Sequence, residues 1–141
     1  MTAADRLAIL EQLGRYSYAE DGCDADAYAA LFTEDAVFEV YHQGRSEPVD
    51  RVAGRDAIRE WASARYARQP SGAQIRHHQT AIVFDELSEF TARTRATLTA
   101  TRLEADGVAP TIAATGLYTD DWRKSDDGWL FRRRVVRTDH G

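Results

Sequence analysis

Apolar and small residues recur at helical spacing near the start of the chain. Leu7, Leu10, Gly14 and Ser17 form a stripe that Ile9, Leu13 and Tyr18 widen. The spacing predicts an amphipathic first helix over 5–20 with that stripe buried. Gly22 is placed to cap its C-terminus, and Asp24 to cap a second, short helix over 25–32 that buries Tyr28, Leu31 and Phe32. Thr33-Glu34-Asp35 then turns the chain into a β-rich run over 36–41, followed by a loop over 43–50. Gly54 precedes a third helical pattern in which Ile58, Trp61 and Ala62 share a face, ending before Pro70.

Beyond Pro70 the period changes to two. Runs over 75–84, 89–103, 111–124 and 129–138 alternate as strands do. Glu86-Leu87-Ser88, Asp106-Gly107 and Asp126-Asp127-Gly128 supply short connections, so these four strands are expected to form an antiparallel meander. Helices first and strands last define the α+β class. Three helices over one face of a curved, mostly antiparallel sheet would enclose a cone-shaped cavity.

Composition narrows the function classes. The 141 residues suit a single domain spanning 1–141, and 43% hydrophobic with 29% charged residues is ordinary globular usage. A net charge of −5 argues against nucleic acid as a partner. Arg132-Arg133-Arg134 is the local exception, but consecutive strand residues point to opposite faces, so the run reads as strand surface rather than one basic patch. Arg134 alone reads equally as a cation at the barrel mouth or a salt-bridged surface group. No stretch approaches the ~18 apolar residues of a membrane span, and the N-terminal run has no signal-like apolar core, so no membrane association is expected. With one cysteine, Cys23, there is no intramolecular disulfide, and a reducing cytoplasm is the expected compartment.

The chemistry-bearing residues are few. Asp21 follows Leu7 by fourteen residues, Gly14 by seven and Ser17 by four, so it projects from the buried stripe if the helix reaches it. A helix C-terminus and an apolar wall both disfavour a carboxylate charge unless a cation or donor pairs with it; the alternative is that Asp21 only shapes the turn at Gly22. His77 and His78 are adjacent on a strand, so one faces the cone and one faces away, and alternation does not say which. His42, His77, His78 and His140 lack the spacing of a metal ligand set, so no metal is expected. No phosphate-cradling glycine loop or nucleophile elbow occurs, and no cofactor is expected. Among the aromatics, Phe38 and Trp61 read as cavity lining or core. Tyr118 is the best candidate hydroxyl inside the cone, because it alternates with Gly116, whose missing side chain would leave room.

Taken in order, several segments resemble the nuclear transport factor 2-like superfamily, and within it the SnoaL-like and scytalone dehydratase-like branch. They are Tyr18-Ala19-Glu20-Asp21 with Asp24, the run from Leu31 to Phe38, Gly54 with Ile58, and Arg76-His77-His78. Gly116-x-Tyr118-x-Asp120 and Gly128-Trp129 with Arg134 complete the set. The resemblance implies a cone-shaped α+β barrel whose enzymes use an acid at the end of the first helix and a histidine on the first long strand as a dyad. Those positions hold Asp21 and His77. Bile-acid dehydratase-like members are similar in a tyrosine five residues before the acid, here Tyr16; the serine and asparagine of scytalone dehydratase-like members are replaced by Gly116 and Tyr118.

The resemblance implies a cofactor-independent dehydratase-like lyase, or an isomerase or polyketide cyclase, acting on a small hydrophobic, cyclic, oxygenated compound. Asp21, His77 and Tyr16 would be catalytic, with Tyr118, Phe38 and Trp61 contacting the substrate. The rival expectation is a non-catalytic ligand-binding or assembly protein of the same fold. An exposed sheet face and edge predict a homodimer or homotrimer.

Overall fold

The structure is a computed structural model and describes residues 2–141. Helices α1 (Ala3–Asp21), α2 (Ala25–Ala29) and α3 (Arg55–Ala67) pack on one face of a sheet built from β1 (Phe32–Tyr41), β2 (Asp50–Ala53), β3 (Gln74–Leu87), β4 (Thr91–Leu103), β5 (Thr111–Ser125) and β6 (Gly128–Thr138). The strand order is β2-β1-β6-β5-β4-β3. The expected meander is present as β3 to β6, and β1 joins it alongside β6 in the one parallel pairing. The sheet is curved and unclosed, and the architecture is α+β.

Local chemistry explains most boundaries. Thr2 and Asp5 form a reciprocal capping box: the Asp5 N–H donates to Thr2 Oγ1 at 3.1 Å, and the Thr2 N–H donates to Asp5 Oδ2 at 2.9 Å. Asp5 Oδ1 also accepts from Lys124 Nζ at 2.8 Å and Trp129 Nε1 at 2.9 Å, tying the start of α1 to the β5–β6 hairpin. Lys124 first, then the Thr2 backbone and Trp129, hold the Asp5 carboxyl well below the usual carboxylate range. Asp24 caps α2 by accepting from the Ala27 N–H at 3.0 Å.

Four expectations need correction. First, α1 buries Ile9, Leu13, Tyr16, Ala19 and Glu20, whereas Leu7 is 66% and Tyr18 79% exposed. Both lines satisfy helical spacing; the bulkier one, with Ile9, Leu13 and Tyr16, meets the core, and the line through Leu7, Leu10 and Gly14 faces out. Second, α2 stops at Ala29 because the chain already joins the sheet: the Phe131 N–H donates to the Leu31 carbonyl at 2.9 Å, and Phe32 pairs with Phe131. Third, β2 starts at Asp50, the last residue of the expected loop, and continues through 51–53, where no element was expected. Asp50 and Arg51 gave it no apolar alternation, and it exists by pairing with β1. Fourth, Gly116 leaves no room. A Cβ there would overlap the Arg137 carbonyl of β6, so the glycine permits close approach of two strands.

The core lies between helices and sheet. Trp122 stacks on Phe131 with centroids 4.0 Å apart, and Tyr16, Tyr28, Phe32 and Phe38 continue the aromatic layer. Because the outward line of α1 carries no packing, Leu7→Ala is expected to change unfolding free energy by less than about 0.5 kcal/mol, whereas Leu13→Ala should cost about 2–5 kcal/mol. Urea unfolding of the two variants checks this, and equal losses would contradict the orientation of the helix.

Candidate active site

The last turn of α1 delivers two consecutive acids to the mouth of the cone. The Asp21 carboxylate accepts from the backbone N–H of His77 at 3.0 and 3.2 Å, and its Oδ1 lies 2.7 Å from His77 Nδ1. A carboxylate only accepts, so Nδ1 carries the proton and Nε2 of the neutral ring is left as the acceptor. Both side chains are sheltered, at 8% exposure for Asp21 and 15% for His77. The alternation left open by sequence is thereby resolved: His77 faces inward, and His78 is exposed, its Nε2 3.3 Å from Thr101 Oγ1.

His77 forms part of the wall of a cavity of about 210 Å³ between the helices and the sheet. Tyr16, Phe38, Trp61 and Tyr118 line it as well, so five of the six residues singled out from sequence meet there. Asp21 stands behind the His77 ring, where both also border an outer groove with Ser17 and Arg76. A larger depression of about 840 Å³ is an open groove between α2 and α3 that includes Cys23. Cys23 is exposed, its Sγ 3.4 Å from Gln69 Oε1. Among the described residues, no group of three or more His, Cys, Asp or Glu side chains converges on a common point.

Glu20, Asp50 and Arg65 also line the cavity and were missed by sequence reasoning. Glu20 is buried and takes both fork nitrogens of Arg65, at 3.0 and 3.3 Å, together with the Tyr66 hydroxyl at 2.8 Å. Arg65 in turn lies over Trp61, 4.5 Å from the ring centroid. Glu20 Oε2 is 3.7 Å from His77 Nε2, so the imidazole stands between two carboxylates. The signal was present: Glu20 extends the line Ile9, Leu13, Tyr16, and Arg65 follows Trp61 by one helical turn.

The tyrosines are held as neutral donors. Burial pushes the Tyr16, Tyr28 and Tyr118 phenols well above their ordinary value, and the Tyr16 and Tyr28 hydroxyls lie 3.1 Å apart. The Tyr118 hydroxyl has no hydrogen-bond partner among the described residues.

Behind the tyrosines lies a second polar layer. Arg134 and Asp120 are both 0% exposed, with Arg134 Nε 3.2 Å from Asp120 Oδ1. Arg134 is therefore neither a surface group nor a mouth cation, because strand alternation turns it into the core between the exposed Arg133 and the half-buried Val135. Burial, opposed by Arg134, pushes the Asp120 carboxyl up to about 6.

A family model described as the SnoaL-like domain matches residues 1–135. No curated protein matches the chain. Solved structures do. A candidate scytalone dehydratase from Novosphingobium aromaticivorans is 28% identical with a TM-score of 0.77, over 96% of this chain and 84% of that one. ActVI-ORFA from Streptomyces coelicolor is 25% identical with a TM-score of 0.81, over 96% and 98% of the two chains. A candidate aromatic ring hydroxylase from Novosphingobium aromaticivorans is 27% identical with a TM-score of 0.81, over 98% and 91%.

The Asp120 environment predicts a titration. Folded Asp120 keeps its proton to about pH 6, whereas an unfolded chain releases it near pH 4. Between those values the folded state binds the extra proton, so this group's contribution to stability falls as pH rises through about 4 to 6. Carbon-13 NMR of the Asp120 carboxyl should give a midpoint near 6, and a midpoint at or below the ordinary aspartate value would contradict the burial argument.

Proposed function

The chain belongs to the SnoaL-like family, and from that premise we propose that it is a cofactor-independent proton-transfer enzyme. It acts as a dehydratase-like lyase, or as an isomerase or cyclase, on a small, hydrophobic, cyclic, oxygenated compound. The observation that carries this reading is the 2.7 Å contact between Asp21 Oδ1 and His77 Nδ1, with the ring in a cavity wall. An acceptor nitrogen, a carboxylate fixing its partner nitrogen, and sheltered phenol donors are the parts that proton abstraction beside a carbonyl requires.

In the step proposed, His77 Nε2 takes a proton from the carbon next to a carbonyl. The C–H electrons move into the carbonyl system, and the developing enolate oxygen accepts a hydrogen bond from Tyr118 or Tyr16. In elimination, the double bond then forms as the β-oxygen departs, and His77 returns the proton to that oxygen, releasing water. In isomerisation the same proton returns to a different carbon. Asp21 steadies the imidazolium throughout. Phe38 and Trp61 pack against the ring of the substrate.

Support for elimination over its rivals comes from the candidate scytalone dehydratase at 28% identity. A second reading is a non-catalytic ligand-binding or assembly protein of the same fold, which would keep the cavity without turnover. We assign the protein to the cytoplasm as a homodimer or homotrimer, in which a second copy covers the outer sheet face where Leu117 and Val83 are exposed.

Cyclic ketones and their hydroxylated relatives, ranked by thermal shift and then followed by NMR in heavy water, test the reading. Bound compounds should exchange or lose a proton beside the carbonyl. Asp21→Asn and His77→Ala should each slow this by about 10²–10⁴-fold. Parental rates in both variants would overturn the dyad, and tight binding without any exchange would establish the second reading.

A further inference from the structure

Arg134 is a fully buried cation that the proton-transfer scheme leaves unused. Its guanidinium carbon lies 3.6 Å from the centroid of the Tyr118 ring and 4.0 Å from that of Tyr16, so it is stacked against two cavity-lining phenols. Its placement is enforced from several elements. Nη2 donates to Gln79 Oε1 on β3, and Gln79 Nε2 donates to the Leu13 carbonyl and Ser17 Oγ of α1, each at 2.8 Å.

The ion pair leaves hydrogen-bonding capacity unused. Asp120 is 3.2 Å away, yet Arg134 Nε and Nη1 and Asp120 Oδ1 all lack a hydrogen-bond partner. Asp120 Oδ2 is reached only by Thr94 Oγ1, at 3.5 Å. A guanidinium in a low-dielectric interior acts strongly on its neighbours even when it is paired, and beside Asp120 those neighbours are the faces of the two tyrosines. A cation against a phenol face withdraws electron density and makes the hydroxyl a better donor. Of the two, Tyr118 has no hydrogen-bond partner among the described residues.

We propose that Arg134 is a positioning residue that turns the Tyr118 and Tyr16 end of the cavity into a site for a ligand oxygen bearing negative charge, a phenolate or an enolate. Asp120 sets how much of the Arg134 charge reaches that oxygen. The proposal deepens the proton-transfer reading and rests on it for the role of the cavity, but it concerns charge recognition and is measurable without turnover.

The probe is 4-nitrophenol, a single ring that fits a cavity of about 210 Å³ and whose anion is coloured. At the pH where the free probe is half ionised, binding to the parent protein should enrich the anion. Arg134→Met, made together with Asp120→Asn so that no buried charge is left unpaired, should lower the ratio of bound anion to bound neutral probe at least tenfold. Asp120→Asn alone keeps the cation and removes its counter-charge, so it should raise that ratio, a change of opposite sign that a merely structural role would not produce. Tyr118→Phe should lower it as the double variant does. A parent protein that takes up the neutral probe or none, or an unchanged ratio in the folded double variant, would overturn the proposal. Should Asp120→Asn fail to fold, the double variant and Tyr118→Phe decide it. Loss of exchange activity in His77→Ala is a separate outcome and bears only on the dyad.

Discussion

The grip of the Asp21 carboxylate on His77 holds this molecule's functional arrangement together. β3 is an edge strand, hydrogen-bonded to β4 on one side and to no strand on the other. The His77 main-chain N–H points off that free edge, and Asp21 accepts it at 3.0 Å. Gln79, two residues on, reaches the same helix through Leu13 and Ser17. The end of α1 therefore covers an edge that would otherwise offer unpaired backbone to another chain. The same carboxylate oxygen that blunts the edge also fixes the imidazole, so fold and candidate chemistry share one contact.

One half-buried and one fully buried ion pair lie beside that arrangement. Bringing α1 against the sheet carries Glu20 inside, and Arg65 of α3 comes over Trp61 to meet it. Deeper in, Arg134 and Asp120 pair between β6 and β5. A fully buried pair such as Arg134–Asp120 rarely adds net stability, because desolvation offsets attraction, and removing one partner costs about 3–5 kcal/mol. Their cost is more readily justified by position. Each pair abuts the cavity wall, one beside His77 and the other behind Tyr16 and Tyr118.

Much of this was legible in sequence. The period-two runs and Asp-Gly turns gave the β3 to β6 meander, and the match of residues such as Asp21 and His77 to a known order gave the pair that the structure brings together at 2.7 Å. The face of α1 was not legible, because Leu7 and Leu10 form as regular a line as Ile9 and Leu13, and periodicity cannot rank two stripes on one helix. That error hid Glu20, which lies on the second line. β2 was hidden for a different reason: four residues with Asp50 and Arg51 at their head become a strand only by pairing with β1. Arg134 was misplaced because a run of three arginines looks like surface. Strand alternation obliges one of three to turn inward, and only the presence of Asp120, Gln79 and two tyrosine faces makes that tolerable.

The size and polarity of the cavity set a limit on the chemistry. About 210 Å³ is below the usual range for sites that enclose drug-sized ligands, so one or two fused rings fill it and a long appended chain must leave through the mouth. Asp50 and Arg65, both partly exposed, share the lining with Phe38, Trp61 and the tyrosines, adding polar groups to a largely aromatic wall. Under the proposed function, a flat oxygenated ring entering that space must bring a C–H bond to His77 while its oxygen meets Tyr118 or Tyr16. Under that function, selectivity would rest on where the few polar groups stand in the lining as much as on the shape of the cavity.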